Sequence, residues 1–118
     1  MNPRPLLALC ALALCGCSSW PMPARVAEGV FIAECAVDGY QTSHFQDHGG
    51  DTEQWSRSVI GRVPSTRSVA WTFALEDGAH VLITNWLVHH APSLTGPWEV
   101  LSISAEGSAV SMNFGVRL

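Results

Sequence analysis

The predicted fold depends most on residues 98–118, which read WEVLSISAEGSAVSMNFGVRL. From Val110 onward apolar and polar residues alternate, which is the two-residue period of a half-buried strand. Glu106-Gly107 interrupts the pattern and is typical of a two-residue turn. The stretch therefore predicts a β-hairpin with strands Trp98–Ala105 and Ser108–Leu118. Its polar face, which should meet solvent or a partner, carries Ser102, Ser104, Ser111 and Asn113.

Three further elements are predicted upstream of this hairpin. Apolar rows on both sides of Glu76-Asp77-Gly78 predict a second hairpin, with Phe73 in its first strand and Val81 in its second. A weaker alternation over Gly29–Val37 predicts the first strand, and a capping signal at Asp51 predicts a short helix over Thr52–Ile60. Together these elements predict an α+β fold, mainly β, with one antiparallel sheet of about five strands and one short helix. The domain is predicted to span residues 29–118.

Composition and charge limit the possible functions. The 118 residues include 47% hydrophobic and 14% charged residues, which argues for one small domain with a buried core and against disorder. The formal net charge is −4, with ten acidic residues against six basic ones. A nucleic-acid-binding domain needs a cationic surface, so no nucleic-acid partner is predicted.

The N-terminus carries an export signal. A short basic start, Met1–Pro5, precedes an apolar run, Leu6–Leu14, that is far shorter than the roughly 20 residues of a spanning helix. The run ends in Leu14-Cys15-Gly16-Cys17, which resembles the lipobox of bacterial lipoproteins over the first 19 residues. The resemblance implies cleavage of a signal peptide, residues 1–16, and a diacylglycerol thioether on Cys17. A palmitate or similar acyl chain on the new amino group is also implied.

The residues after Cys17 give the expected location. Residues 17–28 form the predicted tether, in which prolines discourage regular structure. In lipoproteins a non-acidic residue such as Ser18 implies the outer membrane, so the domain should face the periplasm from a lipid anchor. The alternative is ordinary signal cleavage after Ala13, which would leave Cys15, Cys17 and Cys35 free to pair.

The candidate binding residues lie mostly in a long polar loop predicted over Asp38–Asp51. A loop of this length in a small domain is either functional or mobile, and this one combines aromatic, titratable and acidic side chains. The predicted binding residues are Tyr40, His44, Phe45, Asp47 and His48 in the loop, and Trp86 in a strand. An alternative is a zinc-type site whose ligands would be His44, Asp47, His48 and Asp51.

Nothing in the sequence indicates catalysis. There is no Gly-x-Ser-x-Gly motif, and Cys35, in the predicted first strand, is interpreted as a structural core residue. No catalytic residue and no cofactor are predicted. We interpret the chain as a non-enzymatic envelope lipoprotein that binds a periplasmic protein or cell-wall component, in the manner of an inhibitor or immunity protein. The alternative is a metal-binding or metal-dependent enzymatic domain built on the loop.

Overall fold

The described part of the protein is entirely helical. A computed structural model describes residues 19–44 and 65–115, and these ranges contain three long helices and no strand. Helix α1 spans Met22–His44, α2 spans Thr66–His90 and α3 spans Pro92–Gly115. The predicted fold, a mainly β α+β domain with a five-stranded antiparallel sheet, is therefore wrong.

The three helices run up, down and up. The start of α1 contacts the end of α2, where Glu28 meets His80, and the end of α1 contacts the start of α2, where Gly39 lies against the Phe73 ring. Helix α3 runs parallel to α1, because it begins near Glu28 and ends where Asn113 donates a hydrogen bond to Asp38. Each helix thus contributes one face to a common interior.

Local signals fix the ends of α2. The Ser65 hydroxyl accepts a hydrogen bond from the backbone N–H of Ser68 at 3.1 Å, which caps the start of the helix. The N–H of Ala91 closes the other end on the carbonyl of Leu87 at 2.8 Å. Pro92 then begins α3, where its missing N–H would have had no helical partner. This tight connection makes α2 and α3 antiparallel neighbours.

The interior of the bundle is polar and much of its exterior is apolar. In α1 the inward positions recur every three or four residues, as in a heptad, yet Glu28 and Asp38 occupy two of them. Large apolar side chains point outward from all three helices, among them Val26, Val30, Leu75, Leu82 and Leu101. None of the three helices combines the length and apolar character that crossing a bilayer requires.

The polar interior and apolar exterior of the bundle explain why the predicted strands are wrong. The first predicted strand, Gly29–Val37, lies inside α1, and both predicted turns lie inside helices, Glu76-Asp77-Gly78 in α2 and Glu106-Gly107 in α3. Instead of marking exposed turns, Glu106 is buried and Glu76 and Asp77 are half-buried. Gly107 is a packing residue, because a Cβ there would lie 3.0 Å from Oε1 of Glu34 on α1.

The serines of the predicted C-terminal hairpin lie in α3. Four of them donate to the carbonyl four residues earlier, at 2.6–2.9 Å, so their hydroxyls are satisfied within the helix; they are Ser102, Ser104, Ser108 and Ser111. The predicted loop, Asp38–Asp51, is wrong over its first seven residues, which continue α1 as far as His44. The predicted helix over Thr52–Ile60 lies outside the described residues.

Candidate metal centre

Three ionisable side chains from three different helices meet inside the bundle. They are Glu28 of α1, His80 of α2 and Glu99 of α3, and each exposes less than 5% of its surface. One ring nitrogen of His80 and one carboxylate oxygen from each glutamate lie within 4.8 Å of one another. That separation is close enough for one ion to contact all three residues after small side-chain movements.

Glu28 and two aromatic rings fix the position of His80. Nδ1 of His80 lies 3.1 Å from both carboxylate oxygens of Glu28, and since a carboxylate only accepts, the ring nitrogen is the donor. The imidazole is stacked on Phe31, with ring centroids 3.8 Å apart, and on Trp98, with centroids 5.0 Å apart. The ring is therefore held on both faces and at one edge.

A short hydrogen-bonded relay orients Glu99. The Thr84 hydroxyl, which is fully buried, donates to Oε1 of Glu99 at 3.0 Å. The same hydroxyl oxygen accepts a hydrogen bond from Nε1 of Trp98 at 3.1 Å. Because the indole N–H of Trp98 donates to the hydroxyl oxygen of Thr84, the hydroxyl proton is directed at Glu99. Trp98 thus supports both Glu99, through Thr84, and His80, through stacking.

Two ligand-type atoms of the cluster are buried without a hydrogen-bond partner. They are Nε2 of His80 and Oε2 of Glu99. A buried polar atom without a partner costs about 1–3 kcal/mol, more if it is charged. Burial raises the pKa of Glu99, and the Glu28 carboxylate adds to this increase, while Thr84 and His80 oppose it. A cation bound by the cluster would offset the electrostatic penalty of the buried Glu99 carboxylate.

The donor set fits a divalent transition metal. Two carboxylate oxygens and one imidazole nitrogen are ligands of zinc, manganese and iron(II), and the set lacks the soft sulfur ligands that favour copper(I). The relay from Trp98 through Thr84 is the kind of supporting contact that orients metal ligands. The residues present therefore fit a three-ligand metal site.

A cleft leads toward this cluster. It has a volume of about 330 Å3 and its wall includes Glu99 itself. Most of the remaining wall is apolar and comes from the segment before α1, from α1, from the end of α2 and from the start of α3, including Pro21, Ala24, Val88, Thr95 and Val100. Of the three residues of the cluster, only Glu99 lines this cleft.

A second group of carboxylates occupies the other half of the interior. Burial raises the pKa of Glu106 to about 7, and Asp38, Glu76 and Glu34 add to the increase. Burial also raises the pKa of Cys35, and the charge of Glu106 is the second-largest cause of this increase. Within the described ranges both arginines, Arg25 and Arg67, are exposed, so neither neutralises these acids.

The cysteine prediction is confirmed only in part. Cys35 is fully buried, as expected for a structural core residue, and it is free. Its surroundings differ from the apolar strand face that was predicted, because the charges of Glu106 and Asp77 add to the increase in its pKa. A thiol held in its protonated form by carboxylates is a poor nucleophile.

The sequence-predicted site residues do not form one site in the described structure. Tyr40 is exposed, and its ring lies 4.1 Å from that of His44, whose Nδ1 contacts the Tyr40 carbonyl. Trp86 is exposed at the end of α2 and stacks on His90. Since α1 and α2 are antiparallel, these two places lie at opposite ends of the bundle. The other predicted residues, Cys17, Phe45, Asp47, His48 and Asp51, lie outside the described residues.

The three residues of the candidate metal centre were missed in the sequence. A usable signal exists in α3, where the only two charged residues of the helix, Glu99 and Glu106, are seven apart and so share a face. Glu28 lies on the buried heptad face of α1. An acidic residue on the buried face of a helix packs poorly, so its presence there indicates a functional position. No protein family, curated protein or solved structure matches the chain.

Proposed function

We propose that the protein binds a divalent transition-metal ion between Glu28, His80 and Glu99. The observation that carries the proposal is the convergence of these three buried side chains, from three helices, to within 4.8 Å. Such an ion would tie all three helices together. The site differs from the predicted alternative on His44, Asp47, His48 and Asp51, although the class of function is the same.

Charge balance favours an ion over a simple buried ion pair. His80 offers one positive charge at most, and it faces Glu28 through Nδ1. Glu99 accepts a hydrogen bond only from the neutral Thr84 hydroxyl, and it shares the charge of His80 with Glu28, so burial still raises its pKa. An uncompensated buried charge costs several kcal/mol. Either a proton or a cation must therefore compensate Glu99, and the cluster of ligand atoms favours the cation.

Three protein ligands would leave a coordination position for water or an exogenous group. The cleft at Glu99 is where such a group would enter. A bound zinc ion would lower the pKa of its water toward 7, which is the chemistry that the metal itself supplies. The chain's own residues would bind and orient the ion. We assign no reaction to the site, and the non-enzymatic role stays a prediction.

The binding experiment uses the full chain and one matched control. Calorimetric titration with zinc and elemental analysis should give one ion per chain, and Glu28→Gln, His80→Ala and Glu99→Gln should each remove it. Glu106→Gln is the control, because it neutralises an equally buried acid on the same face of α3, one heptad away. A wild-type protein without stoichiometric metal, or a Glu106→Gln variant that loses it equally, would contradict the proposal.

The proposal also includes the cell envelope as the location. Its support is the lipobox-like Leu14-Cys15-Gly16-Cys17, which lies outside the described residues. An anchored chain would hold the bundle within reach of a bilayer, facing the periplasm. The predicted periplasmic-protein or cell-wall partner is a separate question, which a pull-down from envelope extract with metal-loaded and metal-free protein can address.

A further inference from the structure

The outward face of α2 carries a row of large apolar side chains. Trp71, Leu75, Leu82 and Trp86 follow one another at intervals of four, seven and four residues, and each has more than half of its surface exposed. At 3.6 residues per turn these intervals place all four within an arc of about 60°. The row is about 22 Å long, at 1.5 Å per residue, with a tryptophan at each end.

The three described helices expose few charged side chains, and the ones they expose are cationic. Within residues 19–44 and 65–115, no aspartate or glutamate is exposed, and the exposed arginines are Arg25 and Arg67. Arg67 precedes Trp71 by four residues and therefore lies on the same face of α2. The face consequently combines one cation with an uncharged apolar row, even though the whole chain has a net charge of −4.

We propose that this face of α2 binds the surface of an anionic lipid bilayer, with the helix lying parallel to the membrane plane. A helix on a membrane surface places its apolar side chains at the boundary between headgroups and acyl chains. Tryptophan rings favour that boundary, because they combine a large apolar surface with a polar N–H. Arg67 would meet the anionic headgroups at one end of the row.

A second copy of this chain fits the face less well. Helices pair along a seam of apolar residues at heptad spacing, and here the seam that begins with Trp71 and Leu75 loses its apolar character toward its end. It continues through Gly78, Leu82, Asn85 and His89, of which only Leu82 is a large apolar residue. Asn85 also accepts a hydrogen bond from Nε1 of Trp20, so it is already engaged within the chain. A fluid lipid surface does not require a regular seam.

The proposed envelope location brings the bilayer close to this face. The predicted lipid attachment residue, Cys17, precedes α1 by five residues, and five extended residues span at most about 18 Å. The proposal for the α2 face does not depend on this anchor. The experiment therefore uses the full chain with Cys17→Ser, to which no thioether-linked lipid can be attached.

The first measurement locates the tryptophans. Vesicles of phosphatidylglycerol and phosphatidylcholine with brominated acyl chains should quench part of the tryptophan fluorescence of the bound protein. In Trp71→Phe/Trp86→Phe this quenched component should fall by more than half, while the vesicle-bound fraction stays similar. Trp20→Phe is the control, because Trp20 is buried and its removal should leave the quenched component unchanged.

The second measurement tests the energetics of the face by vesicle flotation. Leu75→Gln/Leu82→Gln should lower the vesicle-bound to free ratio about tenfold, since two apolar side chains leave the acyl boundary. Leu94→Gln/Leu101→Gln makes the same change on the exposed surface of α3 and should have no effect. The apolar run Leu6–Leu14 is present in every variant and so does not bias the comparison.

Three results would contradict the proposal. If Trp71→Phe/Trp86→Phe keeps the full quenched component, lipid contacts another part of the chain. If sedimentation without vesicles gives twice the mass of one chain, and the Leu75→Gln/Leu82→Gln variant sediments with the mass of one chain, a second copy covers the face. Arg67→Gln should lower binding to phosphatidylglycerol vesicles but not to neutral ones, and equal loss on both would remove the role of charge.

Discussion

Thr84→Val tests the candidate metal centre at the residue that orients Glu99. The substitution keeps the volume and branching of the side chain but removes a hydroxyl that makes two hydrogen bonds. It leaves Oε1 of Glu99 without a donor and Nε1 of Trp98 without an acceptor. Since Thr84 is fully buried, water cannot replace the hydroxyl without a rearrangement of the bundle.

The magnitude follows from these two lost partners. A hydrogen bond to a charged group contributes about 1.5–3 kcal/mol, and an unpaired buried donor costs about 1–3 kcal/mol. Burying a methyl group in place of the hydroxyl returns about 1 kcal/mol. We therefore expect the free energy of unfolding to fall by about 2–4 kcal/mol, and zinc affinity to fall about 10- to 100-fold because Glu99 is no longer held.

The assay pairs urea denaturation of the metal-free protein with calorimetric titration of zinc. Thr84→Ser should restore most of both quantities, because it keeps the hydroxyl. Thr95→Val is the matched control, since Thr95 is also buried but its hydroxyl has no hydrogen-bond partner. Its removal should leave stability unchanged or slightly higher. A Thr84→Val variant that matches Thr95→Val in both assays would refute the relay.

Three further predictions follow from other parts of the molecule. Because burial raises the pKa of Glu106 from 4.5 to about 7, the folded state holds this proton more tightly than the unfolded state. The contribution of Glu106 to stability should therefore be complete below pH 4.5 and fall by about 3 kcal/mol as the pH rises through 7. Glu106→Gln should flatten this dependence in thermal melts at pH 5 and pH 8. Gly29→Ala in α1 should raise the free energy of unfolding by about 1 kcal/mol, because a Cβ there meets no atom within 4 Å. Gly39→Ala should raise the free energy of unfolding by less, because its Cβ would lie 3.2 Å from the Phe73 ring. Urea denaturation compares the two, and equal effects would contradict the packing of α1 on α2. Cys17→Ser should abolish incorporation of a clickable fatty acid, and continued labelling would contradict the lipobox interpretation.

The fold could not be derived from hydrophobic periodicity, because the buried stripe of each helix is partly polar. In α1 the inward heptad row includes Glu28 and Asp38, so a search for apolar periodicity finds only fragments of that row. Two members of the row, Phe31 and Cys35, share a two-residue spacing with the exposed Ala33 and Val37, and this pattern looks like a strand. Long-range contacts decide the outcome, since Asp38 is satisfied by Asn113, which lies 75 residues later in the chain.

The candidate site was equally hard to derive, because each of its residues comes from a different helix. The sequence favours ligands that are close in the chain, such as His44 and His48, whereas the structural cluster joins His80 to residues 52 positions before it and 19 after it. What could be predicted was the burial of Cys35, since small thiols are commonly buried. The carboxylates around Cys35 could not be predicted without the helical register.

The buried acids of the bundle differ in how each is compensated, and that difference selects the metal site. Asp38 accepts hydrogen bonds from Asn113 and Thr42, Glu28 faces the ring of His80, and Glu106 holds a proton up to about pH 7. Glu99 receives one neutral donor and, like Glu106, keeps a buried oxygen without a partner. Because its neighbours already provide a second carboxylate and an imidazole, a cation placed at Glu99 would gain three ligands at once. No other group of at least three His, Cys, Asp or Glu side chains in the described ranges comes together so closely.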